Sequence, residues 1–294
     1  MDRRRLLLYF GSLLLTSCGS GFAPRPPIGK KDGAGGGAFQ DQLDESGRNR
    51  SDGLVPTNPN DRGSLPSTTP ININDDALAD LKIALTVGHG QSSRGYDPGA
   101  TSGQIVEYEL NAAQATTIAD ILRARGATVK IFKYDNDHGP VNLATRGRNV
   151  AGHDIHISLH HNSFSDRSVQ GGETLVHPSN VTDEDKIFAK IINDAVVTAT
   201  GVNDRGVKSQ NVTVLAATEN NIVKCLCEPF FISNSSLNGA SAASLSQKAA
   251  VAIAAGVVQY WQAKKGPSIR NYTVPEVLEN DLPGLYDDHN DGSL

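Results

Sequence analysis

The apolar runs of this chain lie almost entirely between residues 81 and 261, so any packed core has to be built there. A stretch of that size can bury one sizeable core, whereas the flanks hold too little apolar surface to offset chain entropy. Within the window, short apolar runs alternate with segments of helical spacing. Lys82–Val87 reads as a strand, and Leu110, Ala113, Ile118, Ile121 and Leu122 then recur at helical spacing until Gly126 closes the helix. Thr128–Phe132 reads as a strand, 142–150 as a helix, and Ile155–Leu159 and Gly172–Val176 as strands. Ile187, Ile191, Ile192, Ala195 and Val196 form the apolar face of another helix. Residues 212–216 and 222–227 read as two more strands, and 241–261 as the last strong helix. There is no internal repeat. The alternation predicts an α/β domain over residues 80–264.

The flanks have a different character. Arg3, Arg4 and Arg5 precede an apolar run from Leu6 to Leu15, the pattern of a secretory signal over residues 1–17. The run is short for a membrane span. It ends in Leu15-Thr16-Ser17-Cys18-Gly19, which resembles the lipobox of bacterial lipoproteins. That resemblance implies removal of the leader and a membrane anchor on lipidated Cys18; the alternative is an ordinary cleaved signal that contains a cysteine. Gly19 after the cysteine implies the periplasmic face of the outer membrane in a host that has one. Residues 18–79 are rich in Gly, Pro, Asn, Asp and Ser and read as a flexible tether. About 60 residues of mixed coil would reach roughly 40 Å. Residues 265–294 form a polar, acidic C-terminal extension, with 287–294 as a frayed tail.

Charge and cysteine content narrow the class further. The formal net charge is -5 with no long basic stripe, which argues against a nucleic-acid partner. Three cysteines, Cys18, Cys225 and Cys227, are too few for a disulfide scaffold. Cys225 and Cys227 point to one face of a strand, where a mutual disulfide would be strained, so they read as buried thiols.

Four ionisable residues fall at element ends. His89 follows the first strand in Val87-Gly88-His89-Gly90, Glu107 opens the first helix, His160 ends one strand, and Glu228 ends another. Ligands of α/β sheets gather beyond the carboxyl ends of the strands, where three of these would emerge. Two imidazoles and a carboxylate are a usual ligand set for catalytic zinc, and a further carboxylate can take a proton from water. Taken singly, each is as readily a hydrogen-bonded histidine or a dipole-facing glutamate.

The words around them are more specific. Residues 83–90 with Asp97-Pro98-Gly99-Ala100 and then Val106-Glu107-Tyr108-Glu109-Leu110-Asn111 resemble the opening of the zinc-dependent N-acetylmuramoyl-L-alanine amidases. So do 143–151, with Arg146 and Asn149, running into Ile157-Ser158-Leu159-His160-His161-Asn162-Ser163. Gly171-Gly172-Glu173-Thr174, Asp204-Arg205-Gly206-Val207-Lys208 and Glu228-Pro229-Phe230-Phe231-Ile232-Ser233-Asn234 match later blocks of that family. The resemblance covers 83–260. It implies an α/β fold with a single three-layer domain, a mostly parallel or mixed central sheet flanked by helices, phosphorylase/hydrolase-like. It implies one zinc ion on His89, Glu107 and His160, with Glu228 as the catalytic carboxylate. It implies peptidoglycan as substrate, cut at the amide between N-acetylmuramic acid and L-alanine, and a place in the cell envelope.

Some positions depart from the family or stay open. His161 stands where a small residue is common, and Pro229 replaces a usual glycine before Phe230. Arg205 and Lys208 read either as holders of substrate carboxylates or as solvated loop charges. Asn162 orients a ligand loop or caps a turn. His138, His153, His156, His177 and His289 take no part in the expected site. Some family members carry a helical insertion after the block matching His160 to Ser163, which covers the zinc until a partner moves it. Here a short polar loop leads directly to Gly171, which leaves no room for such a plug. The other functions considered are a zinc peptidase acting within the stem peptide and a non-catalytic peptidoglycan-binding lipoprotein.

Overall fold

In a computed structural model, which describes residues 77–92, 95–135, 141–266 and 273–279, the first strand already shows why the sequence reads as it does. β1 (Lys82–Val87) is buried everywhere but at Lys82 and is flanked on both sides by parallel partners. A strand covered on both faces loses the polar alternation of a surface strand and becomes a continuous apolar run. Two small hairpins follow, β2 (Gly90–Ser92) with β3 (Gly95–Asp97) and β4 (Thr101–Ser102) with β5 (Ile105–Val106). Then come α1 (Glu107–Arg123), β6 (Thr128–Phe132), α2 (Leu143–Arg148), β7 (Ile155–Leu159) and β8 (Gly172–Val176). The rest comprises α3 (Asp183–Thr200), β9 (Asp204–Ser209), α4 (Thr213–Ala216), β10 (Val223–Glu228), α5 (Gly239–Lys265) and β11 (Leu278–Glu279).

The main sheet has the order β11-β9-β8-β10-β7-β1-β6. Its neighbours are parallel except at one junction, where β8 runs antiparallel to β10. Helices α1, α3 and α5 pack on one face, and α2 and α4 on the other. The expected α/β three-layer architecture with a mixed, mostly parallel sheet is therefore the observed one. On the first face Leu85, Ile157 and Cys225 from the sheet meet Ile118, Phe188, Ile192 and Ile253 from the helices. Burying a side chain of that size stabilises by about 1.5–3 kcal/mol, so this face carries most of the apolar gain. The long helices start on local chemistry. Thr182 and Asp185 form a reciprocal cap at the start of α3, and Asn238 with Ser241 does the same for α5.

The structure corrects parts of the sequence reading. Residues 212–216 are not a strand but the single turn of α4, whose Val212, Val214 and Leu215 bury against Leu175 and Leu226. The strand lies just before it, as β9, and is hard to read because it carries Asp204, Arg205 and Lys208 and is bulged near Gly206 (φ 81°). The packed region begins before residue 80: Leu78 is fully buried and its N–H donates to Arg125 O. The C-terminal extension contributes a strand, since β11 pairs with β9. The signal, Cys18, the tether up to residue 76, His138, His289 and the tail at 287–294 lie outside the described residues. Cys225 and Cys227 are free, buried thiols, as read.

Candidate metal centre

The register of three parallel strands sets the level of the site. Val87 pairs with Leu159, and Leu159 pairs with Cys227. β1, β7 and β10 thus end together, and His89, His160 and Glu228 emerge at one carboxyl edge of the sheet. Glu107 arrives as the first residue of α1, held by its own N–H donating to Ala100 O at 3.0 Å. His89 Nε2 and His160 Nδ1 each lie 3.0 Å from Glu107 Oε1. One donor atom from each of the three lies within 4.8 Å of the others, and all three residues are buried. Tetrahedral zinc with ligands at about 2.0–2.2 Å holds donor atoms about 3.3 Å apart, so the residues present fit such an ion.

Glycines make the room. A Cβ on Gly88 would overlap the His160 ring, and one on Gly99 (φ 70°) would stand 2.6 Å from His89 Cδ2 and 2.7 Å from Glu107 Oε2. A side chain at either position would fill the space between the donors.

His89 itself is held in an unusual backbone conformation. Its φ of 66° lies in the left-handed region, which side chains with a Cβ adopt only when their surroundings impose it. Arg146 does the imposing: Nη1 donates to His89 O at 2.6 Å and Nη2 to Gln91 O at 2.7 Å, with the guanidinium stacked 4.1 Å over Tyr134. Asp97 fixes the ring. His89 Nδ1 donates to Asp97 Oδ2 at 2.6 Å while Gly99 N donates to Asp97 Oδ1 at 2.8 Å, which turns Nε2 towards Glu107. A carboxylate behind a ligand imidazole both selects the tautomer and strengthens the ligand.

The electrostatics favour a cation at this point. Burial opposes protonation of His89, but Glu107 and Asp97 outweigh it and raise its pKa to about 10. Burial likewise disfavours charge on Glu107, yet His89 and His160 hold its carboxyl well below the usual range. Burial lowers the pKa of His160 despite the pull of Glu107, leaving a neutral ring with a lone pair to offer. Glu228 behaves oppositely: burial, then repulsion from Glu107 and Glu173, push its pKa well above the carboxylate norm.

The remaining candidates fall into supporting roles. Arg205 and Lys208 are not solvated loop charges: Arg205 Nε lies 2.7 Å and Lys208 Nζ 3.6 Å from Glu173 Oε2, and Lys208 and Glu173 are buried. Asn162 orients the loop, donating to Glu173 Oε1 at 2.8 Å while its Oδ1 accepts from Ser163 N. His156 is sealed between Thr86 and Thr218, away from the carboxyl edge, and His177 binds Asn211. The sequence reading assigned no individual role to Asp97, Arg146 or Glu173. Asp97 carried a usable signal, an acid eight residues beyond the candidate ligand His89 at a Pro-Gly turn; Arg146 and Glu173 were marked only by the family blocks they stand in, because the partners that define their roles, His89 and Arg205, are distant in sequence.

With this geometry in hand, the N-acetylmuramoyl-L-alanine amidase family model matches residues 83–259. The chain belongs to that family. It is 27% identical to protein YqiI of Bacillus subtilis (strain 168) over 180 residues, 61% of this chain and 84% of that one. It is 28% identical to the N-acetylmuramoyl-L-alanine amidase LytC of the same strain over 197 residues, 67% of this chain and 38% of that one. The catalytic domain of the amidase CwlV from Bacillus (Paenibacillus) polymyxa var. colistinus superposes with a TM-score of 0.52 at 25% identity, covering 62% of this chain and 98% of that domain. In this amidase domain, among the described residues, no helix intervenes between β7 and β8 or between β8 and α3.

Proposed function

We propose that this amidase hydrolyses the amide between the lactyl group of N-acetylmuramic acid and L-alanine of the stem peptide, using one zinc ion held by His89, Glu107 and His160. The observation that carries this reading is the trio itself: three buried donors converging where the electrostatics favour a cation. When bound, zinc polarises the scissile carbonyl and makes water acidic near neutral pH. Glu228 takes the proton of the attacking water and returns it to the departing amine. Burial and the nearby carboxylates of Glu107 and Glu173 raise its affinity for a proton. Arg146 and Asp97 hold His89 in place through the cycle.

The setting is the cell envelope, with lipidated Cys18 as anchor on the periplasmic face of the outer membrane and the tether read over residues 18–79 as the reach to the polymer. Among the described residues no helix is inserted between β7 and β8, which supports a site that is open by default.

The test is product analysis on purified sacculi. The expected products are glycan chains of unchanged length and new amino groups belonging to L-alanine. New termini on any other residue would assign the chain to the stem peptide instead, and no release would leave a binding protein.

A further inference from the structure

The residue after His160 is outside the donor trio, yet it is as buried as the ligands. The backbone N–H of His161 donates at 3.1 Å to Glu107 Oε1, the oxygen that both ligand histidines face. Its ring is held at both nitrogens: Nδ1 lies 2.7 Å from Asn111 Oδ1 on α1, and Nε2 lies 3.0 Å from Ser246 Oγ on α5. Phe230 meets the ring edge-on at 4.8 Å.

The neighbours fix the direction of these bonds. Asn111 Nδ2 faces two acceptors, Gly88 O and Glu107 Oε1, at 3.5 Å each, so its Oδ1 must be the atom turned to His161. An amide oxygen only accepts, which puts the proton on Nδ1 of His161. Nε2 then carries a lone pair and accepts from the Ser246 hydroxyl. Every polar atom of the ring is satisfied in this one orientation, and turning the ring would break two buried hydrogen bonds. The backbone at 161 is thereby prevented from swinging, and its N–H stays aimed at Glu107.

We propose that His161 is a positioning residue that fixes Glu107 in its metal-binding pose, with α5 taking part through Ser246. A small residue here would keep the amide but lose both anchoring bonds. This inference rests on the reading of Glu107 as a ligand.

The experiment is competition of zinc against a chromophoric chelator for the full chain, alongside thermal unfolding of the metal-free form. His161→Ala is expected to weaken zinc binding about 10–100-fold, the usual effect of removing support behind a metal ligand. Ser246→Ala should weaken it by a smaller factor. The double variant should bind no worse than His161→Ala alone, because the hydroxyl acts only through the ring. His161→Gln, whose amide can donate to Asn111 and accept from Ser246, should recover part of the affinity. Wild-type affinity in His161→Ala with only a lowered unfolding temperature would overturn the proposal and leave plain packing. Should His161→Ala fail to fold, Ser246→Ala decides: weakened zinc binding supports the proposal, and unchanged binding overturns it. A wild-type chain that binds no zinc would overturn the ligand reading and this proposal with it.

Discussion

Glu228 in β10 stands directly across from Glu173 in β8, paired in register at the one antiparallel junction of the sheet. Both carboxylates are buried, but their surroundings differ. Glu173 has Arg205, Lys208 and Asn162 around it, so its charge is balanced within the protein. Glu228 faces Glu107 and Glu173, and its pKa is pushed well up by burial and by those two charges. One member of the pair is thus structural and the other is left with high proton affinity beside the metal donors. Environments that drive neighbouring titratable groups apart are how acid–base roles are divided.

Glu228→Gln is therefore expected to keep the fold and the zinc while turnover falls by about 10²–10⁴, the usual cost of losing a general base. Circular dichroism, zinc content and release of L-alanine amino groups from sacculi check the three parts. Near-normal turnover would mean that another group takes the proton.

Glu173→Gln tests the other half of the pair. The substitution keeps the volume but removes a buried counter-charge from Arg205 and Lys208. Breaking a buried pair from one side costs on the order of 3 kcal/mol. Urea unfolding at neutral pH should show that loss. A change below about 1 kcal/mol would place the pair in the weak class of solvent-screened bridges.

His156 makes stability depend on acid. Burial, then the nearby charges of Lys224 and His153, lower its pKa to about 3. Thr218 Oγ1 donates to Val214 O, so it accepts from His156 Nδ1, and the neutral ring is satisfied with Thr86 donating to Nε2. Since the unfolded chain protonates near 6.5 and the folded one near 3, stability is complete above pH 6.5 and is lost as pH falls towards 3. Between pH 7 and pH 4.5 this one group should remove about 2–3 kcal/mol. Urea unfolding of wild type and His156→Gln at both pH values isolates the effect. Equal pH dependence in the two chains would show that His156 is protonated in the folded state.

Cys18→Ser is expected to release the chain from membranes while catalysis on sacculi is unchanged, because the proposed anchor contributes no residue to the candidate site at His89, Glu107, His160 and Glu228. Membrane fractionation with an assay of the soluble fraction checks it. Retention on the membrane would point to a different anchor.

Much of the candidate site was legible because His89, His160 and Glu228 lie at or just past strand ends, and strand ends are marked by the change from an apolar run to Gly-His-Gly, His-His-Asn or Glu-Pro. Sheet order was less accessible. β9 carries charges whose partner, Glu173, lies more than thirty residues earlier, so in one dimension it resembles an exposed loop. α4 was misread because Val212, Val214 and Leu215 satisfy a strand pattern as well as one helical turn, and burial against Leu175 and Leu226 decides between them. The paired strands β2–β3 and β4–β5 escaped for a different reason: they are only two or three residues long, bury little apolar surface, and have Gly95 and Gly103 at positive φ within or between them. Those same small elements bring Asp97 to His89 and Ala100 to Glu107, so the finer support of the site needed coordinates.

The most direct measurement is zinc content by elemental mass spectrometry after exhaustive dialysis, on wild type and on His160→Ala. The expected result is one zinc per wild-type chain and a large loss in the variant, with both chains folded. Full zinc occupancy in His160→Ala, or a folded wild-type chain that retains none and gains none when zinc is supplied, would contradict the assignment of His89, Glu107 and His160 as its ligands.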